Sequence, residues 1–99
     1  MEGEFAFRAE LWLWQNRRDS WTFVTLPEDL SDVIEEVHGE RSRGFGSLRV
    51  EVAIDGHVWR TSIFPDRGRQ AYVLPVKKDV RRKVGVDTGD SVEIELSVL

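Results

Sequence analysis

Residues 70–96, QAYVLPVKKDVRRKVGVDTGDSVEIEL, hold a complete strand–helix–turn–strand unit and restrict the fold more than any other stretch of the chain. Ala71 to Leu74 reads as a strand. Pro75 ends it, because a prolyl ring presets φ for a helix start and carries no N–H for a sheet ladder. Val80 and Val84, four residues apart, share one helical face and predict a short helix packed through them. Gly85 is its stop, and Thr88-Gly89-Asp90 turns the chain. Val92, Ile94, Leu96 and Val98 then alternate with Glu93, Glu95 and Ser97, the period of a strand with one buried face.

The same order occurs earlier. Trp21 to Leu26 reads as a strand, Pro27 opens a helix, and Leu30, Val33, Ile34 and Val37 follow the i, i+3, i+4, i+7 spacing of an inward-facing stripe. Glu28 and Asp29 suit the positive N-terminal end of that helix, and Gly39 is its expected stop. Identity between the two units is thin, so they suggest a pseudo-twofold architecture rather than a sequence repeat.

The remaining strands follow from alternation. Phe5, Phe7, Ala9, Leu11 and Leu13 alternate with Ala6, Arg8, Glu10, Trp12 and Trp14, which predicts one long strand. Its second half is apolar on both sides, so coverage on both faces is expected there, as in a strongly curled barrel. The QNRRDS run turns the chain, and GERSRGFGS reads as the most mobile loop. Leu48 to Ile54 and His57 to Phe64 form a hairpin about Asp55-Gly56, which suits a two-residue type I′ turn. That turn sets Ile54 opposite His57, Val52 opposite Trp59 and Val50 opposite Thr61, with Glu51 across from Arg60 on the outer face and Thr61 inward.

At 99 residues, with 40% hydrophobic and 32% charged side chains, residues 1–99 are expected to form a single domain around one modest core. Four tryptophans and five phenylalanines make a stable monomer plausible. Cysteine is absent, which removes disulfides and thiolate metal sites from consideration. The opening MEGEFAFRAE is acidic and alternating, unlike a signal peptide, and no apolar run approaches the ~20 residues of a membrane span. The expectation is a bacterial-type cytoplasmic protein without membrane contact.

The net charge of −4 is unevenly spread. Residues 1–56 carry 6 basic and 12 acidic side chains, residues 57–85 carry 8 and 2, and residues 86–99 carry none and 4. The basic middle is the one electrostatic feature that suggests an anionic partner.

Two resemblances follow from these motifs. The second unit, LPVKKDVRRKVGVDTGDSVEIEL, is similar to one half of the swapped-hairpin transcription factors of the antitoxin and transition-state regulator class. Over nearly the whole chain, Trp21, Val24, Leu26 and Pro27, the WRTSIFP run Trp59 to Pro65, YVLPVKKDVR from Tyr72 to Arg81, and Gly89-Asp90 together resemble the bacterial domain-of-unknown-function family nineteen-oh-five. That resemblance implies a mainly β fold, a small six-stranded barrel of the double-split type with two short capping helices. It brings no catalytic residues to carry over.

The expected function is a non-catalytic binding or interaction module with a basic surface around the second helix, for a small anionic ligand or an acidic partner. The candidate ligand-binding residues are Arg60, Ser62, Arg67, Arg69, Lys77, Lys78 and Arg81, since guanidinium groups make forked contacts to phosphate and carboxylate. The competing reading is a solvated helix face neutralised by neighbouring carboxylates. The alternative function is a DNA-binding regulator of the swapped-hairpin kind, against which the overall acidity counts. Trp12, Trp14 and Trp21 on neighbouring strands could stack a base or sugar, but are assigned to the core because large apolar residues are usually buried. His38 and His57 have no ligand-spaced partners, the GFG at 44–46 precedes a strand rather than a helix, and no GxSxG occurs. No catalytic residue, metal or cofactor is therefore assigned.

Overall fold

The computed structural model describes residues 4–41 and 46–99. The chain runs through β1 (Glu4–Glu10), β2 (Trp12–Gln15), β3 (Ser20–Thr25), α1 (Glu28–His38), a 3-10 turn (Gly39–Arg41), β4 (Leu48–Ile54), β5 (His57–Asp66), β6 (Ala71–Pro75), α2 (Lys78–Val84) and β7 (Ser91–Val98). The centre of the loop expected to be most mobile, with the first two residues of its GFG, lies outside the described residues. Among the described residues seven antiparallel strands are hydrogen-bonded in the order β1-β7-β4-β5-β6-β3-β2.

The two ends of that order are halves of one chain segment, separated only by Leu11. Leu11 is fully buried; its amide donates to the Asp90 carbonyl at 2.9 Å and its carbonyl accepts from the Gly89 amide at 2.8 Å. The sheet therefore curls until its ends meet at this residue, and with β1 and β2 taken as one bent strand it is a small barrel of the expected kind. Along β1 the even-numbered residues are exposed and the odd-numbered ones turn inward, a side that Leu11 continues. Phe7 and Leu11 accordingly enter the core, joined there by Val24, Leu26, Val50, Val52, Ile63, Leu74, Ile94 and Leu96.

The hairpin has the expected register, with Ile54 opposite His57 and Glu51 opposite Arg60. Asp55 and Gly56 both take positive φ, 49° and 82°, as a type I′ turn requires. β5 extends two residues beyond the expected end at Phe64, through Pro65 to Asp66.

The pseudo-twofold relation is real in space. β3 and β6 pair antiparallel with Val24 opposite Leu74, the Leu26 amide donates to the Tyr72 carbonyl, and the Val76 amide donates to the Thr22 carbonyl, both at 2.9 Å. Because one helix follows each strand of an antiparallel pair, α1 and α2 leave from opposite ends. Ile34 and Val80 bring them into the common core.

The two helices differ in how they end and face. Gly85 has φ 73°, the left-handed stop expected of it, and its amide bonds back to the Arg81 carbonyl. Gly39 also caps its helix, as expected, but with φ −57° it is not left-handed, and the chain winds on into the 3-10 turn. The predicted stripe of α1 is also rotated: Val33 and Val37 are about half exposed, whereas Ser31, Ile34 and His38 are buried. The Ser31 hydroxyl accepts the buried Tyr72 amide at 3.0 Å, and satisfying that donor turns Ser31 toward β6.

Candidate functional site

The outer surface of the barrel is divided. On the half formed by β1, β7, β4 and β5, cross-strand neighbours neutralise one another: Arg8 with Glu93 at 3.5 Å and Arg60 with Glu51 at 3.3 Å. Ser62 accepts from Arg49 at 3.4 Å on the same face. Arg60 and Ser62, two of the predicted site residues, are thus engaged within the sheet.

The half formed by β2, β3, β6 and the end of β5 carries rings instead. The register sets Trp12 opposite Phe23 and Trp14 opposite Trp21, and Phe64 opposite Val73. Trp14, Trp21 and Phe64 are 42%, 47% and 41% exposed. The assignment of these tryptophans to the core is corrected: neither α1 nor α2 lines this face, since the two helices leave from opposite ends of the β3–β6 pair. The same geometry overturns the expected two-sided cover for the second half of the first strand, where Leu13 is also about half exposed.

These side chains enclose a slot of about 360 Å³, with Val73 and Pro75 on its floor and Asp66 at its edge. Phe23 packs between Trp12, at 5.3 Å between ring centres, and Trp21, stacked at 6.3 Å. The indole N–H of Trp12 donates to the Thr25 hydroxyl at 2.8 Å, which fixes that ring. Arg69 lies over its face, 3.9 Å from the ring centre, a cation–π arrangement. The loop that delivers Arg69 is held by Asp66, whose carbonyl and carboxylate both accept the Arg69 amide at 3.2 Å, while Gln70 adopts a positive φ of 53° to close the turn. Asp66 also pairs with the Arg69 guanidinium at 3.5 Å.

The slot shares Trp21 and Pro75 with a second cleft, of about 520 Å³, at the adjoining mouth of the barrel. Here Lys77, Lys78 and Arg81 meet Leu13 and Thr22, and the Thr22 and Thr88 hydroxyls lie 3.3 Å apart. Arg81 is largely committed, donating to the Val76 carbonyl and lying 3.4 Å from Asp87. Lys77 and Lys78 are exposed, and among the described residues no carboxylate pairs with them. The structure therefore brings Lys77, Lys78 and Arg81 together, sets Arg69 across the aromatic slot, and leaves Arg60 and Ser62 on the charge-paired half.

Arg67 lines a third cleft, of about 870 Å³, with Ser31, Asp32, Glu35 and Tyr72. Burial, reinforced by the charge of Glu35, raises the Tyr72 phenol above its ordinary pKa of 10.0. At neutral pH that phenol is a hydrogen-bond donor and not a base. Both ring nitrogens of His38 are buried without a hydrogen-bond partner among the described residues. Within those residues no cluster of three or more His, Asp or Glu side chains is arranged for a metal, and no helix is long and apolar enough to cross a membrane.

A curled antiparallel sheet with a ring-lined outer face and a lysine-bearing mouth defines a small, mainly β barrel domain. The chain belongs to the family described as domain of unknown function DUF1905, whose model matches residues 7–96. No curated protein matches it significantly.

Proposed function

We propose that this protein is a non-catalytic binding module whose contact surface is the barrel mouth at α2, and that it takes an anionic ligand or an acidic partner. The observation that carries the reading is the convergence of Lys77, Lys78 and Arg81 on one cleft in which both lysines lack a carboxylate partner among the described residues. Unpaired ammonium groups beside a half-apolar cleft attract a phosphate or carboxylate without first breaking an ion pair. Arg69 extends the positive border along the aromatic slot, and Arg67 lies on the same loop.

A duplex-binding dimer of the swapped-hairpin kind draws no comparable support, since both strand–helix units find their strand partners within one chain. The test is an NMR titration with inorganic polyphosphate and with a glutamate-rich peptide. Amide shifts at Lys77, Lys78 and Arg81 that saturate and weaken with salt support the reading. Unmoved signals at all three positions reject it.

A further inference from the structure

We infer that the aromatic face binds single-stranded nucleic acid, with bases stacked on Trp14, Trp21 and Phe64 and the backbone phosphates directed to Lys77 and Lys78 at one end and Arg69 at the other. This rests on the anionic reading above and deepens it by naming the ligand. Three observations lead to it. First, the accessible rings span three strands, more surface than one small ring needs, and successive bases stack on such platforms whatever their sequence. Second, cations flank the platform at both ends: Arg69 over Trp12, and the two lysines in the cleft that shares Trp21. From Thr25, which holds Trp12, to Trp21 is four residues along β3, roughly 14 Å at strand rise, which a strand bearing several phosphates can bridge. Third, the Arg69–Asp66 ion pair is exposed, so the Arg69 guanidinium can exchange that carboxylate for a phosphate at little loss, releasing Asp66 Oδ2 to accept from a base amino group while Oδ1 keeps the Arg69 amide.

A duplex hides the ring faces of its bases within the stack, so a platform of this kind selects the single strand. Most of the acidity that counts against nucleic acid in the sequence lies elsewhere: Asp66 lines the slot and Asp87, beside Arg81, lines the adjoining cleft, but the carboxylates of β7 and α1 line neither.

The experiment measures binding of a short mixed-sequence single strand, its duplex and inorganic polyphosphate, reading tryptophan emission together with the Lys77 and Lys78 amide shifts. The expected result is quenching by the single strand, at least tenfold weaker binding of the duplex, and movement of the lysine signals without quenching by polyphosphate. The affinity should fall with salt with a log–log slope of about −1.4 to −2.1, for two or three neutralised phosphates. Trp14→Ala and Trp21→Ala should each weaken the single strand about tenfold and leave polyphosphate binding unchanged. Lys77→Gln with Lys78→Gln should reduce both, and a thermal melt of each variant establishes that it folds.

Equal binding of duplex, polyphosphate and single strand, with emission unaltered, overturns the nucleic-acid inference and leaves the anion site standing. Silence of the lysine signals with every ligand removes both. Concentration-dependent self-association that quenches the tryptophans without ligand also overturns the inference, because the face is then covered by a second copy.

Discussion

Glu4–Glu10 and Trp12–Gln15 are two halves of one bent strand joined at Leu11, yet their outward faces have opposite character. On the first half Arg8 is matched by Glu93 across the ladder, and the nearby Arg60 and Glu51 repeat the device. On the second half Trp12 and Trp14 face outward, extended by Trp21 and Phe23. Paired charges satisfy each other and offer little to a partner, whereas half-exposed indoles bordered by Lys77 and Lys78, unpaired among the described residues, leave apolar area in water. The lesson is that a barrel wall can be closed to partners along part of one strand and open along the rest, with Leu11 marking the change.

The strongest way to break this contrast is at its junction. Leu11→Ala removes a fully buried side chain where the sheet ends meet, and should destabilise the fold by about 2–5 kcal/mol in urea unfolding. A loss below about 1 kcal/mol, typical of surface changes, would mean that the ends do not depend on each other. Next in size is Ser31→Ala, which strands the buried Tyr72 amide and should cost about 1–3 kcal/mol. Val33→Ser on the exposed side of the same helix should stay within about 0.5 kcal/mol, and the reverse order would restore the stripe expected from spacing.

On the aromatic half, Trp12→Phe keeps a ring beneath Arg69 but deletes the bond to Thr25, for a loss of about 0.5–1.5 kcal/mol. On the charge-paired half, Arg8→Ala should change stability by less than about 0.5 kcal/mol, because the Arg8–Glu93 pair is exposed. The smallest change at neutral pH is expected of Tyr72→Phe, since the phenol is protonated in both folded and unfolded states. Its folded pKa is raised, so its contribution is complete below pH 10 and is lost as the pH climbs through the folded value. Unfolding followed from pH 8 to 11 should show the wild type weakening and the Phe variant weakening less; parallel curves would count against a buried phenol.

Much of the fold was legible because its signals are local. Asp55-Gly56 fixes a hairpin register through backbone dihedrals alone, and Gly85 ends α2 for the same reason. The face of α1 was not legible, since its rotation depends on Ser31 meeting the Tyr72 amide 41 residues away. The aromatic face was misread for a related reason: alternation separates two sides of a strand but does not say whether anything lies on them. Coverage depends on where the helices go, and that follows from the antiparallel pairing of β3 with β6. For the candidate site, charge composition pointed to α2, where Lys77 and Lys78 stand unpaired among the described residues. It could not separate them from Arg60, which Glu51 neutralises across the ladder.

The four tryptophans report on both halves of the barrel at once, since Trp59 stacks on His57 away from the slot while Trp14 and Trp21 line it. The most direct measurement is therefore the set of indole N–H resonances followed as a short single strand is added. Stacking on the aromatic face should give saturable shifts at Trp14 and Trp21, a smaller one at Trp12, whose N–H is held by Thr25, and none at Trp59. Shifts at Trp59 alone, or four unmoved signals, would contradict it.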